Sequence, residues 1–118
     1  MRKFIIIAPF YNCKQEWLED HVNSLKKQDF TNFYCIYCDD VSTADYNLDF
    51  NDERFIFSKN EKRLYPVGNI VENLIKNINT FSDDDVIAIV DGDDYLLSSF
   101  SLSTINRLYE KNDCLLTY

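Results

Sequence analysis

Three uninterrupted apolar runs decide what this chain can fold into: KFIIIA (3–8), FYCIYC (33–38) and VIAIV (86–90). None alternates apolar with polar, so each reads as a strand buried on both faces, and such strands belong to parallel sheets covered by helices. Segments with helical spacing lie between them. QEWLEDHVNSLKKQ (15–28) places Trp17, Leu18, Val22 and Leu25 on one stripe. PVGNIVENLIKNINTF (66–81) carries Val67, Ile70, Val71, Leu74, Ile78 and Phe81, with Pro66 suited to a helix start. RFIFS (54–58) reads as a short strand, 101–111 as a helix with Leu102, Ile105 and Leu108 on its apolar face, and CLLTY (114–118) as a last strand. The order strand, helix, strand, strand, helix, strand, helix, strand predicts an α/β fold, a three-layer α/β/α arrangement around a mainly parallel sheet. At 118 residues it reads as a single domain, 1–118.

Each of the three buried strands runs directly into a polar cluster: PFYN (9–12), DDVST (39–43) and DGDD (91–94). In a parallel sheet the strand ends that follow in this way share one edge, and ligands of open α/β sheets bind beyond it. Their coincidence says more than any one cluster, because a fold needing only polar turns has no reason to place them all at the same end.

DGDD sets the chemistry. Two carboxylates about 5 Å apart repel by roughly 3 kcal/mol at an effective dielectric near 20. Three beside a buried strand end call for protonation, a basic neighbour or a metal ion. No Lys or Arg is close in sequence, since Arg107 is the next one along. A divalent cation is the simplest partner, and hard oxygen ligands select Mg²⁺ or Mn²⁺. Magnesium takes one or two carboxylates and completes its shell with water and substrate phosphates, which points to a diphosphate ligand. The competing readings are weaker: an EF-hand loop wants glycine at its sixth position, whereas here it is second, and a nucleophilic Asp of the haloacid dehalogenase type would follow the first strand. The bland alternative is an acidic turn that caps the next helix.

With only Gly68 and Gly92 in the chain, neither GxGxxG nor GxxxxGK[ST] can be drawn. Charge on a phosphate must be met by the metal and by basic side chains. Lys62 and Arg63 stand ahead of the 66–81 helix, and Arg63 has the fork for a bidentate grip on a pyrophosphate; as a pair they read equally well as solvated cations. Tyr11 offers a stacking surface for a base, and Asp39 or Asp40 an acceptor for a base N–H or a ribose hydroxyl, although Asn12 and Asp39 also suit turns and helix caps. His21, the single histidine, falls beside the core stripe of the first helix and reads as structural. Cys35 and Cys38 have CxxC spacing on a strand, which sends them to opposite faces and rules out chelation of one metal from there.

Twelve basic against twenty acidic residues leave a net charge of −8, which argues against nucleic acid or an anionic membrane as partner. The N-terminal run FIIIA is too short for a signal-peptide core or a membrane span. Four cysteines in this setting read as reduced thiols, so a cytoplasmic location is expected.

Taken together, FIIIAPFYNCKQEWLEDHVNSLKKQDFTNFYCIYCDDVST and DVIAIVDGDDYL resemble the donor half of family 2 glycosyltransferases with the GT-A fold. The strand ending in Tyr-Asn, the helix closing on SLKKQDFTNF, the DD-x-ST turn and the DxD-type DGDD stand in the family's order and spacing. The resemblance implies a nucleotide-sugar donor, most often a UDP-sugar, bound with Mn²⁺ or Mg²⁺. It implies that Pro9, Tyr11 and Asp40 contact the base, with Asn12 and Asp39 beside them, and that Arg63 lies near the diphosphate. Asp91 and Asp93 are implied as the DxD pair on the metal, with Asp91 and Gly92 also at the nucleotide, and Asp94 rivals the pair as a metal ligand. Proline replaces the small polar residue usual after the first strand, and Val41 stands where the family often has glycine. The family's catalytic base and acceptor site are expected beyond Tyr118.

The expectation is a glycosyltransferase domain that binds a nucleotide-sugar through a metal at DxD and serves transfer to an acceptor hydroxyl of a glycan, lipid or protein. The alternative is a non-catalytic nucleotide-binding or assembly module, self-associating through a C-terminal edge strand at 114–118. A nucleotidyltransferase is a weaker third reading, since the glycine-rich loop is missing.

Overall fold

The computed structural model describes residues 2–112 together with 116 and 117. Strands β1 (Phe4–Phe10), β2 (Phe33–Asp39), β3 (Phe55–Lys59) and β4 (Val86–Ile89) form one all-parallel sheet in the order β3-β2-β1-β4. Helix α1 (Gln15–Lys26) joins β1 to β2, α2 (Tyr65–Asn77) with a 3-10 turn at Ile78–Thr80 joins β3 to β4, and α3 (Ser101–Lys111) follows β4.

β1 is buried along its whole length, and its two faces serve two cores. Phe4, Ile6, Ala8 and Phe10 pack with Leu18, Val22 and Leu25 of α1 and Leu102 of α3, while Ile5 and Ile7 join Ile36 and Cys38 under Leu74 and Phe81. The period of two along the strand thus sorts α1 and α3 to one side of the sheet and α2 to the other, giving the expected three layers. Cys35 and Cys38 fall into different cores, so their spacing builds no site.

Three details differ from the sequence reading. Trp17 is 40% exposed, with the Lys14 ammonium 5.2 Å from its ring, and the core face of α1 is Leu18, His21, Val22 and Leu25. On α2 the apolar arc is wider than the face that meets the sheet, so Val67, Val71 and Ile75, like Ile78 in the turn that follows, point outward while Asn69 and Asn73 are buried. β4 was expected to be covered on both sides, yet Ile87 and Ile89 are about half exposed (43% and 53%), because β4 is the last strand of the sheet among the described residues. The strand expected at 114–118 lies outside the described residues except for Leu116 and Thr117, which belong to no strand.

Candidate functional site

β1 and β4 are the neighbours at which the strand order reverses, so a crevice opens beyond their carboxyl ends. A cleft of about 250 Å³ occupies it, lined by Pro9, Phe10, Tyr11, Cys13, Asp40, Arg63, Pro66, Asn69, Asp91 and Asp93. Residues from both ends of the chain therefore meet there: Pro9, Tyr11, Asp40, Arg63, Asp91 and Asp93. Asn12, Asp39, Gly92 and Asp94 are not part of the lining. A larger hollow of about 350 Å³ between α1 and residues 95–99 gathers none of the strand-end clusters. In the cleft, burial together with the nearby Asp93 pushes the Cys13 thiol up to about 11, so it is no nucleophile at neutral pH.

Asn12 and Asp39 build the rim. Asn12 takes a left-handed backbone (φ 50°); its amide donates to Ser42 Oγ at 2.8 Å, and its Oδ1 accepts from the Thr43 amide at 2.9 Å. Asp39 is buried and accepts the Ser42 amide at 2.8 Å. Together they clip residues 41–44 against the end of β1. Val41 is forced to φ 64° in that turn, a region costly for a β-branched side chain. The usual glycine at this position is thereby explained.

Asp40 is the most heavily engaged carboxylate of the site. Its Oδ1 accepts from Asn60 Nδ2 at 3.0 Å and the Leu64 amide at 2.8 Å; its Oδ2 accepts the Tyr65 amide at 2.8 Å and faces Arg63 Nε at 3.6 Å. Burial alone would raise its pKa, but these donors and the Arg63 charge outweigh it and hold the group below the usual carboxylate range. The amides it accepts are orphan donors at the start of α2, so Asp40 caps that helix from just beyond the end of β2. Beneath it, Asn60, Asn69 and Asn73 form a buried chain: Asn60 donates to Asn69 Oδ1 at 2.8 Å, Asn73 to Asn60 Oδ1 at 3.2 Å, and Asn69 to the Cys38 carbonyl at 3.0 Å. Sequence reasoning missed these three. Their one signal is the pair Asn69 and Asn73, four apart and so on one face of the helix.

Arg63 is held by rings. Its guanidinium carbon stands 3.4 Å from the Tyr11 centroid and 4.5 Å from that of Tyr65, whose backbone is also left-handed (φ 64°).

Across the cleft, the Asp94 amide donates to the Asp91 carbonyl at 2.9 Å, folding DGDD into a tight turn. Gly92 serves packing here: a Cβ on it would stand 2.8 Å from Phe10 Cβ and 3.1 Å from Leu18 Cδ2. His21, fully buried, reaches the root of the same turn. Burial holds its imidazole below the usual value and keeps it neutral, so Nε2 donates to the Val90 carbonyl at 3.0 Å and Nδ1 accepts from the Tyr37 hydroxyl at 2.6 Å. A structural histidine thereby fixes the carbonyl that precedes Asp91.

Asp91, Asp93 and Asp94 are exposed and present carboxylate oxygens all within 4.8 Å of one another. None of the three is ion-paired among the described residues. Partial burial, then Asp94 and Asp93, raise the Asp91 pKa above its ordinary value, the sign of uncompensated like charge. Metal–oxygen bonds of about 2.1 Å put opposite ligands roughly 4.2 Å apart, so exposed, rotatable carboxylates at this spacing suit a hard divalent cation.

Among solved structures the chain is similar to TarS of S. aureus, at 25% identity and a TM-score of 0.71, with 92% of this chain and 20% of TarS covered. It is similar to TarS 1–349 in complex with UDP (25% identity, TM-score 0.71, 92% of this chain and 32% of that one). The same fragment in complex with UDP-GlcNAc gives 26% identity and a TM-score of 0.73, with 92% and 31% covered. The chain thus spans between a fifth and a third of the length of these structures. No curated protein sequence matches it. The likeness to TarS, with the parallel sheet and flanking helices, makes this a GT-A fold. The family model described as glycosyl transferase family 2 matches residues 5–117, and the chain belongs to that family.

Proposed function

We propose that this chain is the donor-binding part of a family 2 glycosyltransferase, taking a UDP-sugar in the cleft with Mn²⁺ or Mg²⁺ on the acidic turn. The observation that carries the reading is the convergence of Tyr11, Asp40, Arg63, Asp91 and Asp93 on one cleft at the strand-order reversal. Tyr11 and Pro9 give the base a flat seat, and Asp40 has a lone-pair position left for a base N–H. Arg63 answers the diphosphate. Asp91 and Asp93, with Asp94 beside them, would hold the metal. When bound, the ion supplies positive charge against the departing diphosphate. The structures of TarS with UDP and with UDP-GlcNAc support the choice of UDP as the probe.

Transfer also needs a base to take the acceptor's proton. Despite its burial, donors from Asn60, Leu64 and Tyr65 hold the Asp40 pKa below the usual carboxylate range, which makes it a weak base, and Asp91 and Asp93 are assigned to the metal, so the base comes from outside the cleft lining. Binding without turnover is therefore expected of these residues alone. Calorimetry with UDP, in Mn²⁺ and in EDTA, tests the reading; an absence of metal-dependent binding overturns it. Free cysteines at 13, 35 and 38 support the expected cytoplasmic setting. No helix of the described residues is long and apolar enough to cross a membrane.

A second reading, a nucleotide-binding module that assembles with another chain, draws on the apolar side chains at the β4 edge and on α2. Ile87, Ile89, Val67, Val71 and Ile75 are 43–74% exposed, and β4 is the last strand of the sheet among the described residues, a position open to pairing. Sedimentation at rising concentration separates the two: a strict monomer leaves only the first.

A further inference from the structure

The two cleft residues assigned to base and diphosphate compete for one place. Arg63 covers a face of Tyr11 at 3.4 Å from the ring centroid, with Tyr65 behind it at 4.5 Å. A base that stacks on that face needs the space the guanidinium fills. Yet the guanidinium is poorly satisfied there. Its Nε stands 3.6 Å from Asp40 Oδ2, an ion pair too long for a hydrogen bond. Its Nη1 is buried without any partner. A guanidinium carries five N–H donors that suit oxyanions, and among the described residues none of those on Arg63 finds an acceptor within hydrogen-bond range. The clamp around it is built in advance: Asp40 holds the Tyr65 amide at 2.8 Å while the residue keeps a left-handed backbone.

Resting on the donor-site reading above, we propose that Arg63 is a latch that makes base stacking conditional on a diphosphate. A diphosphate entering beside Asp91 and Asp93 offers the guanidinium the acceptors it lacks and draws it off Tyr11, which bares the ring for the base. A nucleoside offers Arg63 only neutral acceptors, weaker partners than oxyanions, and must displace it largely unaided. The residue therefore selects nucleoside diphosphates and their sugars over nucleosides by more than the phosphate contact itself.

The test compares uridine and UDP, each in Mn²⁺, on wild type and on Arg63→Ala, with Arg63→Gln as a second variant that keeps a polar side chain but removes the charge. Thermal melts show that each variant is folded. Removing the latch should make uridine bind more tightly, by between about twofold and thirtyfold from the loss of the cation–π contact. The same change should weaken UDP by on the order of tenfold to a hundredfold, through loss of a charged hydrogen-bond donor. Opposite shifts for the two ligands support the latch. If UDP binds wild type but uridine is unchanged or weaker in both variants, the latch is wrong and the donor site stands. If wild type binds no UDP, the donor-site reading fails and the latch fails with it.

Discussion

The Arg63 guanidinium lies between the rings of Tyr11 and Tyr65, 3.4 Å from the first centroid and 4.5 Å from the second. In the proposed donor site Tyr11 would contribute the face of its ring, since its hydroxyl makes no hydrogen bond among the described residues. Tyr11→Phe should therefore bind UDP as wild type does, whereas Tyr11→Ala should lose about 1–3 kcal/mol, the usual worth of a base stacked on an aromatic ring. Titration calorimetry distinguishes them. A Phe variant as weak as the Ala variant would show that the hydroxyl, not the ring, does the binding.

The acidic turn makes a second prediction. Asp93 is exposed, without an ion-pair partner, and within 4.8 Å of the oxygens of Asp91 and Asp94. Asp93→Asn should bring UDP affinity in Mn²⁺ down to the value wild type shows in EDTA. The melting temperature should hold or rise, because one of three crowded like charges is gone. Acid should act in the same direction: protons compete with metal for carboxylates, and the raised pKa of Asp91 starts that competition above 3.8. Undiminished Mn²⁺ dependence in the variant would remove Asp93 from the metal's shell.

His21 ties stability to pH. Burial lowers its native pKa, while the unfolded chain titrates it near 6.5. Below that point the unfolded state binds more protons than the native one, so stability is full above pH 6.5 and falls as pH drops through it toward the native value. The slope is at most about 1.4 kcal/mol per pH unit. Asp40 and Asp52, whose pKa values are lowered from 3.8, lose their contribution only at more acid pH. Asp91 works the opposite way, but equally in wild type and variant. Urea unfolding at pH 7.5 and 5.5 should show a drop for wild type that is missing in His21→Gln, itself weaker at pH 7.5 through its poorer fit to Val90 and Tyr37. Equal pH dependence in both proteins would mean that His21 is not buried neutral.

How much of this could be read from the chain depends on how local each signal is. Strands β1 to β4, the common edge of their polar clusters and the positions of Tyr11, Asp91 and Asp93 follow from runs of six residues or fewer, and the structure agrees on each of these placements. β4 defeated the same logic, because an apolar run looks alike whether both its faces are covered or one is open. Asp40 stands in the cleft, but three donors from residues 60–65 occupy it. Nothing in DDVST announces that, since the partners are brought in by the β3–α2 connection. The Arg63–Tyr11 contact is likewise a property of two strand ends and a helix entrance, absent from any short window.

Val41 is a local signal whose meaning became clear only in the fold. Its φ of 64° belongs to the left-handed region, which L-residues enter at a cost of roughly 1–2 kcal/mol and glycine enters freely. The strain is separable from the packing of the half-buried side chain by comparing two truncations. Val41→Ala removes the same γ-methyl contacts as Val41→Gly but keeps the Cβ that clashes. Glycine should therefore be the more stable of the two by about 1 kcal/mol, the reverse of their order inside a helix. For a domain of this size that is a difference of roughly 4 °C in melting temperature. An alanine variant at least as stable as the glycine one would mean that the turn relaxes to a negative φ once valine is gone. Asn12 and Asp39 would then no longer be enough to impose the geometry of the rim.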